Sequence, residues 1–239
     1  MHKQPMNITL RLKRTFLRSA VASAAVFASL PSFAGDQVLD IYLVRHGQTQ
    51  WNLDKRLQGS TDNVLNEAGK RQATELAQRL AGVSFTQVYS SGLRRAQETA
   101  AALGGKATVT PLNTLNERSF GKFEGIFEDD RSAPLFAEFG RRVSVLDDSL
   151  DGGESLQSQA DRVKAAVRQI TSRHTSGSVA VVAHGGVTPL VLSALLDIPV
   201  PEAVARIKQA NDEVYMVRIQ AGQAPLVWKL VTRNTLEQL

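Results

Sequence analysis

Apolar residues recur along this chain in two rhythms. Residues 38–44 and 179–183 are short, almost unbroken apolar runs rich in Val, the pattern of a strand buried on both faces. Elsewhere the apolar positions return every three or four residues. In 66–80 they are Ala73, Leu76, Ala77 and Leu80, behind Asn66 as a helix cap and ahead of Gly82 as a stop. In 154–173 they are Leu156, Ala160, Val163, Ala166, Val167 and Ile170. A strand is predicted over 85–89 and a helix over 93–103, closed by Gly104-Gly105. A short extended piece follows at 108–112, and Pro189 fits the first turn of a helix reaching about 196. Final strands are predicted at 213–219 and 226–231, joined across Ala221-Gly222. Residues 48–61 read as loop, and 113–153 are less regular, with a glycine-bearing stretch at 116–125 that reads as a functional or irregular loop.

Strands alternating with helices predict an α/β fold: one domain, a mostly parallel sheet flanked by helices on both faces, and an antiparallel edge. Two of the predicted strands run directly into histidine and glycine, as Arg45-His46-Gly47 and His184-Gly185-Gly186. Open α/β sheets bind ligands beyond the carboxyl ends of their strands. Parallel pairing would therefore bring both histidines and Arg45 to one edge.

Composition changes the picture mainly at the amino terminus. Hydrophobic residues at 43% and charged residues at 21% describe an ordinary globular chain of 239 residues. The net charge of +5 equals the five cations Lys3, Arg11, Lys13, Arg14 and Arg18, which no acid accompanies in residues 1–34. The remaining body is balanced, so the basic excess does not imply nucleic acid as a partner. Residues 1–34 instead read as an export signal: a basic stretch, an Ala/Ser-rich apolar stretch, then Ser32 and Ala34 spaced as a peptidase reads them. Cleavage after Ala34 is expected, leaving 35–239 as the mature domain, periplasmic or secreted and without a stable membrane anchor. The alternative is an uncleaved anchor, for which the uncharged run 19–35 is short and weakly apolar. The stretch from Lys13 to Arg18 resembles the twin-arginine export motif, with Lys13 in place of the first arginine. The general secretory route is the preferred reading. The chain has no cysteine, which excludes disulfides, a thiol nucleophile and a lipid-modified amino-terminal cysteine.

The histidines at the strand ends suggest phosphoryl transfer through an imidazole nitrogen. Such a reaction needs a neutral imidazole in line with phosphorus, cations and backbone donors on the non-bridging oxygens, and an acid for the departing oxygen. His46 is the candidate nucleophile, Gly47 permits close backbone approach beside it, and Arg45 offers planar donors to phosphate.

The surrounding motifs carry a resemblance. The stretch from Arg45 to Asn52 (RHGQTQWN), then Arg56–Asp62 (RLQGSTD) and Leu65–Ala73 (LNEAGKRQA) resemble, in order, the opening elements of the histidine phosphatase superfamily, phosphoglycerate mutase-like branch. Ser90–Ala100 (SSGLRRAQETA) and Leu115–Gly125 (LNERSFGKFEG) are similar to its next two, and Gly153-Glu154-Ser155 and the run from Val182 to Gly186 complete the series. The resemblance implies that His46 is phosphorylated, that Arg45, Arg95 and His184 form the phosphate pocket, and that His184 also stabilises the transition state. It implies that Glu117 protonates the leaving group, that Asn52 supports the pocket by hydrogen bonds, and that Gln58 and Gly59 border the substrate. It implies neither metal nor cofactor, and a small phosphorylated molecule as the partner. Arg94 is expected on the surface, Glu124 in a structural role, Glu154 at a helix start, and His174, after a helix carboxyl end, at the surface or paired with the helix dipole. Phe127, Leu135, Phe136 and Phe139 are expected to pack, with an apolar wall over the site as the alternative.

Two positions depart from the family pattern: Gly92 replaces a frequent acid, and Pro189 stands where many relatives carry arginine. Only residues 126–153 separate Gly125 from Glu154, short for the mutases and favouring a phosphatase. Two further readings are a non-catalytic phospho-ligand module on the same fold and a mutase-type phosphotransferase. A metal hydrolase using both histidines lacks ligand-like spacing.

Overall fold

The computed structural model describes residues 37–105, 107–232 and 235–238; the predicted export signal lies outside them. Seven strands form one sheet: β1 (Val38–Arg45), β2 (Phe85–Ser91), β3 (Val109–Leu112), β4 (Gly177–Ala183), β5 (Val214–Gln220), β6 (Leu226–Thr232) and β7 (Thr235–Gln238). Their order is β3-β2-β4-β1-β5-β6-β7. The first four are mutually parallel, and β5, β6 and β7 continue antiparallel from β1. The result is the expected α/β architecture with its antiparallel edge, extended by one strand, β7.

The unbroken apolar runs arise because both sheet faces are covered. Tyr42 and Val44 of β1, with Val88, Ala180 and Val182, pack beneath α2 (Glu67–Arg79) and α3 (Arg94–Gly104). Leu39, Ile41 and Leu43, with Val179 and Val181, pack beneath α5 (Leu156–Arg173) and α6 (Val187–Leu196). Alternate residues of one strand thus serve two cores. Burying each such side chain contributes about 1.5–3 kcal/mol. A shorter helix, α7 (Val200–Arg206), follows α6.

The structure amends several local expectations. The stretch 48–61, expected as loop, contains a four-residue helix, α1 (Gln50–Leu53), opened by a capping box between Thr49 and Asn52. Helix α2 starts as expected, with the Asn66 side chain accepting from Gly69 N, but ends at Arg79 with Leu80 as its cap, where Ala81 N bonds Gln78 O and Val83 N bonds Leu80 O in a turn that includes Gly82. Helix α5 is capped by Ser155 and begins at Leu156, so Glu154 precedes the cap and instead grips Arg162 at 2.7 Å. Within 113–153 lies an unforeseen helix, α4 (Ala133–Arg142). Its Phe136 and Phe139, with Val143 beyond it, meet Leu57, Phe123 and Leu150 in a small separate core. Pro134 in its first turn and the three-then-four spacing of those residues were the available signals.

Candidate active site

Register places the site. Leu43, Val44 and Arg45 pair with Val181, Val182 and Ala183, and His46 N donates to Ala183 O at 3.0 Å, so both strands end level. His46 and His184 consequently lie side by side, with ring centroids 5.2 Å apart and planes inclined by 58°. Both are almost wholly buried.

The His46 ring is fixed by its own main chain. Nδ1 lies 2.7 Å from Gly47 O. A carbonyl only accepts, so Nδ1 carries the proton and the neutral ring presents Nε2 with a free lone pair. Burial, then the nearby Arg95 and Arg45, hold His46 well below the ordinary histidine range, against the opposing Gly47 bond. Asn211 Nδ2 donates to His46 O at 2.6 Å, and Gly47 N donates to Thr99 Oγ1 at 3.0 Å. Gly47 is required by crowding: a Cβ there would stand 2.5 Å from Gly69 O at the start of α2.

Two arginines stand beside the histidines, each tied by backbone carbonyls. Arg45 Nη1 donates to Gln209 O at 2.7 Å. Arg95, only 1% exposed, donates to Thr61 O at 2.7 Å and Gly59 O at 2.8 Å. Burial lowers Arg95 to about 10, against the raising influence of Glu117, Asp62 and Glu124, which leaves it a cation at neutral pH. Arg45 Nε, Arg95 Nε and His184 Nδ1 are buried and meet no hydrogen-bond partner within the protein. Buried polar atoms without partners are costly, and two guanidiniums beside two neutral imidazoles match the charge of a phosphate.

Glu117 reaches the site from the loop before the turn at Gly121. Its Oε1 accepts from Gln159 Nε2 at 2.9 Å and Arg118 N at 3.0 Å, and its Oε2 accepts from Gly186 N at 3.0 Å. Gly186 follows His184 by two residues, so this bond joins the acid to the second histidine's loop. From α5, Arg162 holds the same acidic loop by donating to Thr114 O and Asn116 O, at 3.0 and 2.7 Å. Arg45 and both histidines at the strand ends, Arg95 from α3 and Glu117 from the acidic loop thus meet at one end of the sheet, which brings together the principal sequence-predicted residues.

The remaining candidates are placed differently. Asn52 Oδ1 accepts from Thr49 N and Asn52 N donates to Thr49 Oγ1, so its visible hydrogen bonds cap α1 and none reaches the arginines or histidines. Gln58 is buried, with Oε1 accepting from Thr49 Oγ1 at 2.9 Å. Gly59 contributes its carbonyl to Arg95. Both therefore bear on the pocket through its scaffold. Glu124 has the structural role foreseen: it accepts from Ser60 N and Oγ, Thr61 Oγ1 and Phe120 N, fixing the loop whose carbonyls hold Arg95. Arg94 is exposed, as expected. His174 caps the end of α5 and pairs with Tyr89 Oη at 2.9 Å. Phe136 and Phe139 pack in the small core, whereas Phe127 stacks between Arg56 and Arg131, and Leu135 is exposed. Sequence reasoning missed Gln209, whose side chain bonds Leu43 O, Glu213 O and Thr188 Oγ1, and also Asn211, Thr99, Ser91 and Gln159. A polar cluster between a helix and the final strands was the signal for the first two.

Residues 41–232 match the sequence profile of the histidine phosphatase superfamily, branch 1. The chain belongs to that superfamily. With that membership it is an enzyme of the histidine phosphatase type. It is 36% identical over 191 residues to phosphoglycerate mutase-like protein 4 of Arabidopsis thaliana, covering 77% of this chain and 80% of that one. It is also 36% identical over 158 residues to a metal-independent phosphoserine phosphatase of the same plant, covering 63% of this chain and 66% of the relative. Among solved structures, a mycobacterial glucosyl-3-phosphoglycerate phosphatase superposes with a TM-score of 0.69 at 28% identity, spanning 76% of this chain and 91% of that one.

Proposed function

We propose that this protein hydrolyses phosphomonoesters without a metal, through a phosphohistidine on His46. The observation that carries the reading is the Nδ1 to Gly47 O contact, which leaves Nε2 bare and held in place for attack. In the first step the Nε2 lone pair forms a bond to phosphorus as the ester P–O bond breaks, and Glu117 gives its proton to the departing oxygen. In the second step Glu117 takes a proton from water as the water oxygen bonds to phosphorus and the P–N bond breaks. Arg45, Arg95 and His184 hold the non-bridging oxygens through both steps.

The names of two relatives, a phosphoserine phosphatase described as metal-independent and a phosphatase of a sugar-linked phosphoglycerate, favour small phosphorylated metabolites. The short span between the acidic loop and α5 favours hydrolysis over a mutase reaction. From the basic-then-apolar amino terminus alone, we place the mature enzyme outside the cytoplasm, starting after Ala34.

The test is a rapid-quench mass spectrum of residues 35–239 mixed with p-nitrophenyl phosphate in the presence of chelator, beside His46→Ala. The expected result is a transient phosphate adduct on His46, with turnover lost in the variant. Tight phosphate binding without turnover would replace this reading with a phospho-ligand module. Turnover abolished by the chelator would return the metal hydrolase.

A further inference from the structure

The second histidine is held by a chain of hydrogen bonds whose directions can be assigned. Gly92 N lies 2.7 Å from one side-chain atom of Asn116. A backbone N–H only donates, so that atom is the amide oxygen. Ser91 Oγ lies 2.9 Å from the same oxygen, and must spend its only proton there. Leu93 N donates to Ser91 Oγ at 3.1 Å. His184 Nε2 lies 2.7 Å from Ser91 Oγ, and with the hydroxyl proton committed elsewhere this contact requires a proton on Nε2. In the neutral ring Nδ1 is then bare, and it is the buried nitrogen that meets no partner in the protein.

We infer that Ser91 and Asn116 are positioning residues that lock His184 in its Nε2–H tautomer, so that His184 engages the phosphate only when one extra proton is bound between Nδ1 and a phosphate oxygen. The inference rests on the phosphohistidine reading for its catalytic meaning. A bare Nδ1 and a phosphate dianion are both acceptors and cannot hydrogen-bond each other. Adding one proton resolves this, whether solvent supplies it to a bound dianion or the monoanion brings it. The complex then holds one proton more than neutral His184 and a phosphate dianion. The charged groups around His184 are Arg45 from β1, Arg95 from α3, Arg162 from α5 and Glu117 from the acidic loop, beside the neutral His46. Burial first, then Arg95, His46, Arg45 and Arg162, keep the resting ring deprotonated. An arriving phosphate offsets the three arginines and permits the proton. Asn116 directly precedes Glu117, so the relay also links the tautomer of His184 to the position of the acid.

The experiment uses nitrogen-15 NMR of the imidazoles in residues 35–239, with calorimetric titration of inorganic phosphate in two buffers of different ionisation enthalpy. The resting enzyme should show His184 as the Nε2–H tautomer. Phosphate should take up close to one proton per site where it is free as the dianion. Ser91→Ala removes the acceptor for Nε2. Asn116→Ala frees the Ser91 hydroxyl to donate to Nε2. Each variant should release the Nδ1–H tautomer, abolish most of the proton uptake and flatten the alkaline fall of kcat/KM. At neutral pH kcat/KM should drop by roughly tenfold as a neutral N–H replaces the imidazolium as donor to the phosphate. A melting curve establishes that each variant is folded, and the two reach the ring from opposite ends of the relay. A resting Nδ1–H tautomer, or phosphate binding without proton uptake in the unsubstituted enzyme, would overturn the inference. So would two folded variants that keep the parental tautomer and pH profile. If His46→Ala retained turnover, the phosphohistidine reading would fall while the tautomer of His184 remained separately measurable.

Discussion

Gly186→Ala isolates the position of the acid from its chemistry. Gly186 has φ −81° and ψ −20°, ordinary helical backbone where alanine is comfortable, so the substitution brings no conformational strain. The added methyl would stand 2.5 Å from Glu117 Oε1. Comfortable non-bonded contact begins near about 3.5 Å, so the carboxylate must retreat by roughly 1 Å. It would stretch its bond from Gly186 N and press against Gln159, a crowding penalty of about 1–3 kcal/mol in stability. A misplacement of about 1 Å in a reacting constellation costs on the order of 10²-fold in rate, or about 2.7 kcal/mol at 1.36 kcal/mol per decade.

The loss should depend on the leaving group. An alkyl phosphate expels a strongly basic oxygen and needs the proton, whereas p-nitrophenolate departs without one. Gly186→Ala should therefore lower kcat/KM, which reports the phosphorylation step alone, about 10²-fold on an alkyl phosphate and leave kcat/KM on p-nitrophenyl phosphate within a few-fold. Steady-state kinetics on both substrates, with a thermal melt to follow folding, decide the matter. An equal loss on both substrates would mean that the methyl damages the phosphate pocket and that Glu117 is not the donor. No loss on either would mean that the acid acts from elsewhere.

Three further outcomes are expected. His46→Ala should abolish turnover while keeping inorganic phosphate binding, because Arg45 and Arg95 are anchored independently of the ring; equilibrium titration checks this. Glu124 should show in the pH dependence of stability. Burial raises its carboxyl, but the bonds from Thr61, Ser60 and Phe120 outweigh burial and hold it below the ordinary value. Its contribution is therefore complete above the unfolded value of about 4.3 and is lost as pH falls through the lower folded value. Glu124→Ala should cost about 2–4 kcal/mol at neutral pH, flatten the acid limb of a denaturation series and raise KM through a loosened Arg95; an unchanged limb would contradict the assignment. Gln209→Leu leaves Leu43 O and Glu213 O without their side-chain donor and should cost about 2–4 kcal/mol, read in a urea melt, with KM rising as the backbone that holds Arg45 loosens.

What could be read in the sequence follows from how each element is specified. β1 and β4 were legible because both faces of each strand are buried, so nearly every position is apolar, Asp40 being paired with Arg218, and the ends carry His46 and His184. α2 and α5 were legible because each buries a single stripe, and Asn66 marked the start of α2. The small core around Phe123, Phe139 and Leu150 was harder. It is built from contributions spread over 57–150, and no one segment carries a long enough period to announce α4. Register and hydrogen-bond direction lay further out of reach. Nothing local to Gln209 or Asn211 says that β5 returns antiparallel beside β1 and carries the preceding loop to Arg45 and His46.

This division has a physical basis that bears on the enzyme. Three of the groups proposed to touch phosphate, Arg45, His46 and His184, sit at strand ends, where a rigid ladder sets their separation, and Arg95 stands in the first turn of the helix that follows β2. The groups that decide their protonation and aim, Gly47 O, Ser91, Asn116, Gln159 and Gly186 N, act through distance and donor direction. Ser90-Ser91-Gly92 reads locally as an unremarkable strand end. Only when Asn116 arrives from the acidic loop does the Ser91 proton have a fixed destination, and only then is the state of His184 determined. The difference between an acceptor and a donor at Nδ1 decides whether the pocket attracts or repels a phosphate dianion at that point. Relatives sharing the histidines and arginines but differing at the Ser91–Asn116 pair should therefore bind phosphate with different proton uptake, a contrast that exchanging these two residues between enzymes would expose.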